Sequence, residues 1–472
     1  MEESKGDRIA HIDFDPNPSE LYLEKLKAHS QNFLKELSAS ETKSYRSGEK
    51  IEADKVDAWL DPDQKQSFEE LLDFLPSVLN KSGIQPAFAG HLGYIPGGGL
   101  FENAVAAYLS SLSNYYSAVS FASPYAVKLE NSLLAWMAKI IGYGEEAMGN
   151  ITSGGSIANL SAIHAAKNAK GVAVEDIRNQ VVYLSSQMHH SLKKALKITN
   201  LNQAVLREIR VDKNLEMEMN HFAEQVSQDL EQGLEPFLVI SNGGSTNSGA
   251  VDDLSAIAKI TRKYKIWHHV DAAYGGAFLL TEKGRKFLQG IEAADSVTID
   301  PHKGFFQSYG IGMILVKNGQ HLFDAFSEDA EYMRDAKLSD GNISPANLSI
   351  ELSRPFRGLS FWFSLKIHGK EKYAQALNEK LLLTQYLYHQ LKKEGFEMGP
   401  KPKLSVLIFK LSNDQLNRDL LHDIHKDGKI FISSTGIQGK IWLRAAILSH
   451  RTSFKEVEQL IQFVSAWRKA KK

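Results

Sequence analysis

The spacing of apolar residues divides the 472-residue chain into three parts. Up to about residue 85, apolar positions recur at helical spacing. In "SFEELLDFLPSVL", Ser67 and Glu70 also have the spacing of a capping box. Pro76 should kink or end that helix. The segments "DFDPNPSE" and "EKIEADKVDAWLDPDQ" are predicted to be loops. This part therefore reads as a helical arm with no obvious core of its own.

Between residues 150 and 320, short apolar runs rich in β-branched residues alternate with helical patterns. Helices are predicted for "SIANLSAIHAAKNAK" and "DLSAIAKITRKY". The predicted strands are "VVYLS" at 181, "PFLVIS" at 236, "IWHHVD" at 266, "SVTID" at 296 and "GMILV" at 312. The alternation indicates βαβ units and a mostly parallel sheet with both faces covered. Ligands bind such sheets at the carboxyl ends of the strands, where the polar clusters of this sequence lie.

The pattern changes again after residue 365. A long helical stretch precedes the strand-like "KLSVLIFKL" and "KIWLRAAIL", and the chain closes on a helix with one apolar stripe. These elements predict a small α+β domain. The domains are therefore expected at 1–85 for the arm, 86–365 for a large α/β domain and 366–472 for the small domain.

Composition narrows the classes of partner. The chain has 55 Lys and Arg against 56 Asp and Glu, a formal net charge of −1, which gives no reason to expect nucleic acid or an anionic membrane. Cysteine is absent, which excludes disulfides and thiolate chemistry. The first residues lack the apolar segment of a signal peptide, and no apolar run approaches 18 residues. We therefore expect a cytoplasmic protein without a membrane span.

Lys303 and Asp271 each follow a predicted strand. A lysine in a largely apolar pocket has its amine form favoured and becomes a nucleophile for aldehydes. A buried carboxylate needs a cationic partner, and the protonated ring nitrogen of pyridoxal phosphate is one. The alternative for these two residues is a buried salt bridge between them.

Four further segments suit the same cofactor. In "ITSGGSIANLSAI", a Gly-Ser turn before a helix can bind a phosphate, although an ordinary helix cap is the alternative. In "SSQMHHSLKKAL", a metal site is not expected because no HExxH pattern accompanies the two histidines. His189 could instead stack on a flat ring, whereas His190 reads as a polar loop residue. The segments "GGSTNSGAVDDL" and "HVDAAYGGAF" supply small residues for close approach to a ligand.

Taken together, "TSGGSIAN", "HHSLKKA", "GSTNSGAVDD", "HVDAAYGGA", "DSVTIDPHKG" and "RPFRGLSFW" resemble the group II pyridoxal-phosphate-dependent amino acid decarboxylases. This family includes aromatic L-amino acid, tyrosine and glutamate decarboxylases. The resemblance runs from about residue 86 to the C-terminus. It implies a fold-type I large domain with a seven-stranded, mostly parallel sheet. It also implies a homodimer with the active site at the subunit interface and the arm packed across the partner.

The resemblance also assigns roles around the cofactor. Lys303 would form the covalent bond to the cofactor aldehyde, and Asp271 would pair with the ring nitrogen. We therefore expect neither Lys303 nor His302 to belong to a simple salt bridge. The other implied contacts are His189 and Ala273 on the two faces of the ring, Gly155, Ser156 and His302 at the phosphate, and Thr246 and Asp300 close to the cofactor.

The implied reaction removes the α-carboxylate of an L-amino acid and gives the amine and CO₂. Tyr332, in the polar segment "FSEDAEYMRDAKLSDGN", stands where the family places a proton donor on a mobile loop, and it favours an amine product over an aldehyde. The alternative for Tyr332 is an ordinary surface tyrosine.

Substrate choice is less sharply indicated. "SPYAVKLE" is most similar to the aromatic branch, and the candidate pocket residues are Tyr94, Pro96, Leu100 and Ser353. The alternative for "GHLGYIPGGGLFEN" is a glycine-rich loop that bridges the arm and the large domain. Other possible functions are action on an acidic or diamino acid, formation of an aldehyde, or binding without catalysis.

Overall fold

The computed structural model describes residues 16–39, 42–48, 53–328 and 342–471. The first part of the chain forms helices and one small antiparallel strand pair. Its elements are α1 (Pro16–Ser38), β1 (Tyr45–Ser47), α2 (Ala53–Leu60), α3 (Phe68–Ser77) and β2 (Ser82–Ile84). The capping box of Ser67 and Glu70 is confirmed, and α3 ends one residue after Pro76, as predicted.

The two loop predictions in this part are wrong. Helix α1 begins at Pro16, inside "DFDPNPSE", and α2 occupies the middle of "EKIEADKVDAWLDPDQ". For α2 the reason is ring stacking across the arm: the ring centroids of Trp59 in α2 and Phe74 in α3 are 5.1 Å apart. Most helical stability in proteins comes from such tertiary packing, which a local pattern does not reveal.

The centre of the molecule is a seven-stranded sheet in the order β3-β9-β8-β7-β6-β4-β5. All strands run in one direction except β9, which is antiparallel to both neighbours. The strands are β3 (Met148–Thr152), β4 (Gln180–Ser185), β5 (Val205–Ile209), β6 (Glu235–Asn242), β7 (Trp267–Asp271), β8 (Ser296–Ile299) and β9 (Gly312–Val316). The expected mostly parallel sheet is confirmed.

Helices cover both faces of this sheet. They are α4 (Phe101–Ser113), α5 (Pro124–Ile141), α6 (Gly155–Ala169), α7 (His190–Ile198), α8 (Met219–Glu231), α9 (Leu254–Tyr264), α10 (Glu282–Phe287), α11 (Pro301–Gly304) and α12 (Gln320–Phe326). Alternate residues of β9 show the two-sided burial: Met313 and Leu315 belong to one core cluster, and Ile314 and Val316 belong to the other. This burial explains why the central strands read as continuous apolar runs.

The last part of the chain builds an antiparallel four-stranded sheet in the order β10-β11-β13-β12. Its elements are α13 (Arg357–Lys393), β10 (Glu397–Met398), β11 (Val406–Lys410), α14 (Asp414–Asp427), β12 (Ser433–Ile437), β13 (Lys440–Ala446) and α15 (Phe454–Ala470). Helix α13 crosses the predicted domain boundary at 365 and departs from helical geometry at Gly369. The division into domains stays a prediction. No helix among the described residues is long and apolar enough to cross a membrane.

Candidate active site

Five strands bring their ends to one edge of the large sheet, around a cavity of about 430 Å³. The parallel strands β3, β4, β6, β7 and β8 end there, and the reversed strand β9 begins there. The predicted cofactor residues that line the cavity are Gly155, Ser156, His189, Thr246, Asp271, Ala273, Asp300, His302 and Lys303. These residues are separated by up to about 150 positions in sequence, yet they share this single cavity.

The glycine turn after β3 forms one wall of the cavity. Gly154 has φ +147°, a backbone conformation that favours glycine, and helix α6 begins at the next residue. A Cβ atom on Gly155 would lie 2.7 Å from Oδ2 of Asp300, so this position also has no room for a side chain. The turn therefore presents the N-terminal backbone N–H groups of α6 to the cavity, and such groups favour an anion.

Lys303 lies on the short helix α11, directly after β8. Its Nζ is 3.0 Å from Oδ2 of Asp300, and Nε2 of His302 is 3.6 Å from the same oxygen. The expectation that Lys303 belongs to no simple salt bridge is therefore wrong for the chain without cofactor. The partner is Asp300 rather than Asp271, because Asp300 and Lys303 are three residues apart and face each other across the turn of α11.

One carboxylate oxygen of Asp300 accepts no hydrogen bond from the described residues. The residue is buried, and its Oδ1 has no hydrogen-bond partner among the described residues. His302 donates from Nδ1 to the carbonyl oxygen of Ile311 at 2.6 Å. Burial lowers the pKa of His302, although the Asp300 charge opposes this shift. The hydrogen bond to Ile311 fixes the His302 ring beside Asp300 at the edge of the cavity.

Asp271 ends β7 and is held from two sides. Its Oδ1 accepts a hydrogen bond from the backbone N–H of Ala273 at 3.1 Å, and its Oδ2 accepts one from Nδ2 of Asn159, also at 3.1 Å. Each carboxylate oxygen can accept a further hydrogen bond. Asp271 can therefore pair with a cationic N–H group in the cavity.

His189 is the N-cap residue of α7 and lines the cavity beside Asp271. Its Nδ1 accepts from the backbone N–H of Ser191 and lies 2.7 Å from the Ser191 hydroxyl, so the ring proton sits on Nε2. Burial lowers the pKa of His189, although the charge of Asp271 opposes this shift. The imidazole is therefore held neutral and in a fixed orientation.

The predicted substrate residues do not line this cavity in the single chain. Tyr94 is exposed and has a left-handed backbone with φ 53°, and Ser353 is exposed. Pro96 is buried, and Leu100 lines a second cavity of about 480 Å³ together with Phe306 and other residues. Their role stays a prediction. Tyr332, the expected proton donor, lies outside the described residues.

Several cavity residues were not singled out from the sequence. They include Asn159, Asn242, Tyr274 and Tyr309. Arg444 was also missed, although its Nε donates to the carbonyl oxygen of Thr246 at 2.6 Å and its Nη2 donates to that of Tyr94 at 2.8 Å. Asn159, Asn242 and Tyr274 each lie at or just beyond a strand end or the glycine turn, whereas Arg444 has no such local signal.

The residues present fit pyridoxal phosphate. The glycine turn offers a phosphate cradle, and a Cβ atom on Gly155 would collide with Asp300. Lys303 and Asp271 line the same cavity, and the carboxylate of Asp300 lies 3.0 Å from the lysine amine. An anion, an aldehyde and a protonated ring nitrogen are the three features that these groups would complement. Fold and cavity thus define an α/β enzyme that binds a phosphorylated cofactor.

Comparisons with known proteins narrow this class. The model of the pyridoxal-dependent decarboxylase conserved domain matches residues 86–412. An aromatic-L-amino-acid decarboxylase of Bacillus atrophaeus is 32% identical over 416 residues, which cover 86% of each chain. A phenylacetaldehyde synthase of Arabidopsis thaliana is 31% identical over 428 residues, which cover 84% of this chain and 85% of that one. The chain belongs to the pyridoxal-dependent decarboxylase family, and it is a carboxy-lyase that uses pyridoxal phosphate.

A solved structure shows that the fold is shared as well. The crystal structure of Oryza sativa TDC with PLP and tryptamine superposes with a TM-score of 0.89 and covers 97% of this chain and 100% of that chain, at 21% identity. The expected fold-type I architecture is thereby confirmed.

Proposed function

We propose that this enzyme removes the α-carboxylate of an aromatic L-amino acid and releases the amine and CO₂. The observation that carries the proposal is the single cavity that holds Lys303, Asp271 and the glycine turn of α6. The aromatic substrate class is supported by the Bacillus atrophaeus relative, which is named for aromatic amino acids.

Bound pyridoxal phosphate would supply an aldehyde that condenses with amines and a ring that accepts the electron pair left when the Cα–carboxylate bond breaks. Lys303 is the amine placed to hold the cofactor covalently, and the substrate amine would displace it. When released, the Lys303 ammonium can return to Asp300, whose Oδ2 lies 3.0 Å away. Asp300 thus gives the displaced lysine a defined resting place inside the cavity.

Asp271 would keep a proton on the ring nitrogen. Its carboxylate is buried and can only accept hydrogen bonds while it is charged. Pairing with a protonated nitrogen satisfies that charge, and a charge-assisted hydrogen bond of this kind is stronger than a neutral one. The role of Asp271 is therefore electrostatic: it favours the state in which the ring can take up negative charge.

His189 and Ala273 would border the two faces of the ring. The neutral, Nε2-protonated imidazole of His189 is fixed by Ser191, so its flat face is presented without a competing charge. Ala273 is buried and small, which leaves room for a ring to lie against it. Gly155, Ser156 and His302 would bind the phosphate at the start of α6, and Thr246 would lie beside the cofactor.

Product identity is the first experimental question. Purified enzyme with pyridoxal phosphate is incubated with L-tyrosine, L-phenylalanine, L-tryptophan, L-glutamate and L-2,4-diaminobutyrate, and CO₂, amine and peroxide are measured for each. We expect CO₂ and amine in equal amounts from at least one aromatic substrate, and neither product from Lys303→Ala. Turnover confined to L-glutamate or L-2,4-diaminobutyrate would overturn the aromatic assignment.

An aldehyde-forming reaction is the second candidate. It is favoured by the phenylacetaldehyde synthase of Arabidopsis thaliana, which is nearly as similar to this chain as the decarboxylase. One equivalent of hydrogen peroxide per CO₂, in place of amine, would establish this second candidate. Tyr332 argues against it, because a tyrosine at this place is expected to protonate Cα.

We also propose a homodimer with the arm packed across the partner and the active site at the interface. Helix α4 supports this, because Phe101, Tyr108, Leu109 and Leu112 are between 41% and 68% exposed. An exposed apolar patch of this kind marks an interaction surface. Sedimentation at micromolar concentration should give twice the chain mass of 52.6 kDa. A species of only 52.6 kDa would refute the dimer.

A further inference from the structure

Asn159 connects Asp271 to the interior of the large domain. The residue is fully buried on α6, and its amide lies between two titratable side chains. Nδ2 is 3.1 Å from Oδ2 of Asp271, and Oδ1 is 3.0 Å from Nε2 of His269. A charged carboxylate can only accept hydrogen bonds, so the NH₂ group of Asn159 must face Asp271 and its carbonyl oxygen must face His269.

His269 must then donate from Nε2. Burial lowers the pKa of His269 to about 4, so the ring is neutral near pH 7 and has one donor and one acceptor nitrogen. Nε2 carries the proton because it faces the Asn159 carbonyl. Nδ1 is therefore the acceptor, and it lies 2.9 Å from Oγ of Ser296.

Trp267, at the other end of this series of hydrogen bonds, fixes the same donor-to-acceptor direction. The indole Nε1 of Trp267 can only donate, and it lies 3.0 Å from Oγ of Ser296. The Ser296 hydroxyl accepts that hydrogen bond and gives its own hydrogen to Nδ1 of His269. The hydrogen bonds from Trp267 to Asp271 thus all run in one direction and end with Asn159 donating to the carboxylate, while the second Nδ2 hydrogen of Asn159 is directed to Oγ of Ser191 at 3.4 Å.

We propose that Asn159 and His269 are positioning residues for Asp271, and that the ordered series of hydrogen bonds from Trp267 through Ser296 keeps its carboxylate aimed at the cofactor ring nitrogen. This inference rests on the proposed role of Asp271. Supporting groups that lock a functional side chain decide how well its geometry is held. If the hydrogen bonds ran in the opposite direction, Asn159 would place an oxygen lone pair against the carboxylate of Asp271 and repel it. The Nε2-protonated tautomer of His269 is therefore required for this arrangement.

The test measures cofactor recognition rather than turnover. The apparent Kd of cofactor-free protein is measured by fluorescence for pyridoxal phosphate and for its analogue with carbon in place of the ring nitrogen. The wild type should bind pyridoxal phosphate more tightly, because only this ligand pairs with Asp271. In Asn159→Leu that preference should fall by about 10-fold to 100-fold, the value of one hydrogen bond to a charged group.

Variants of two adjacent histidines provide the matched comparison. His269→Gln keeps a donor near the Nε2 position and should retain most of the preference, whereas His269→Leu should lose it as Asn159→Leu does. His268→Gln is the control, because His268 is equally buried in β7 but bonds to Ser241 at 2.8 Å, outside the series of hydrogen bonds that reaches Asp271. It should leave the ratio of the two Kd values unchanged. Thermal unfolding of each cofactor-free variant reports folding separately.

The possible outcomes distinguish failure of the positioning role from failure of the proposed role of Asp271. If both ligands weaken equally in Asn159→Leu and His269→Leu, the two residues serve packing alone and the positioning role is overturned. If His268→Gln changes the ratio as much as His269→Leu, the ordered series of hydrogen bonds is likewise overturned. If the wild type does not prefer pyridoxal phosphate over the carbon analogue, the assignment of Asp271 to the ring nitrogen fails, and the positioning role fails with it.

Discussion

Gly97 packs against α11, the short helix that carries Lys303. A Cβ atom at this position would lie 2.9 Å from the carbonyl oxygen of Lys303 and closer still to that of His302. Both obstacles are backbone atoms of α11, so no side-chain rotation can relieve the contact. Because φ of Gly97 is not positive, backbone strain plays no part and the effect of Gly97→Ala is steric.

The size of the effect follows from this geometry. Ordinary contact begins near 3.4 Å, so α11 and the Gly97 segment must separate by roughly 1 Å. Overpacking of this kind destabilises a protein by about 1–3 kcal/mol. A displacement of about 1 Å at a reacting group lowers turnover by about 100-fold. Gly97→Ala should therefore fold less stably and turn over its substrate about 100-fold more slowly.

Gly436→Ala is the matched control. It makes the same substitution on β12, where an added Cβ atom meets nothing within 4 Å and φ is not positive. Urea unfolding of the cofactor-free proteins and kcat of the loaded enzymes are measured for both variants. Gly436→Ala should match the wild type in both assays. If Gly97→Ala also matches it, the close packing of Gly97 on α11 is refuted.

Three further predictions concern the site and the core. Asp271→Ala should retain part of its pyridoxal phosphate, measured after desalting, but lose most turnover; kcat near the wild-type value would show that another group protonates the ring nitrogen. Tyr332→Phe should make amine about 10²–10⁴-fold more slowly and form new, oxygen-dependent peroxide; an unchanged amine rate would make Tyr332 a bystander. Burial lowers the pKa of His268 from 6.5 to about 3, so its contribution to stability is complete above pH 6.5 and is lost as the pH falls towards 3. Between pH 7.5 and pH 5 this loss is about 2 kcal/mol. The unfolding free energy of the wild type should therefore fall by about 2 kcal/mol more over this pH range than that of His268→Gln. An equal fall in both proteins would contradict the lowered pKa of His268.

The sequence predicted the central strands because their burial on both faces leaves long apolar runs. Strands β3 and β5 were not predicted. The segment "MGNIT" of β3 is short of apolar residues, and "VLREI" of β5, at the edge of the sheet, has two adjacent charged residues. Pairing with β9 and with β4 makes them strands, and such pairing is not encoded in a local pattern.

Some features of the candidate site were likewise predictable from the sequence and others were not. Lys303, Asp271 and the glycine turn were predictable, because each follows a strand with a chemically unusual side chain or turn. The contact of Gly97 with α11 and the hydrogen bonds of Arg444 join segments hundreds of residues apart, so no local spacing could reveal them. The Lys303–Asp300 ion pair does not follow from the resemblance, because the resemblance describes a lysine that is bonded to the cofactor.

The attachment of the cofactor to Lys303 tests the account most directly. Loaded enzyme is reduced with borohydride, digested and mapped by mass spectrometry, with Lys303→Ala treated in parallel. The account predicts one pyridoxyl group per chain, on the peptide that contains Lys303, and none in the variant. A pyridoxyl group on a different lysine of the wild type, or no stable label at all, would contradict it.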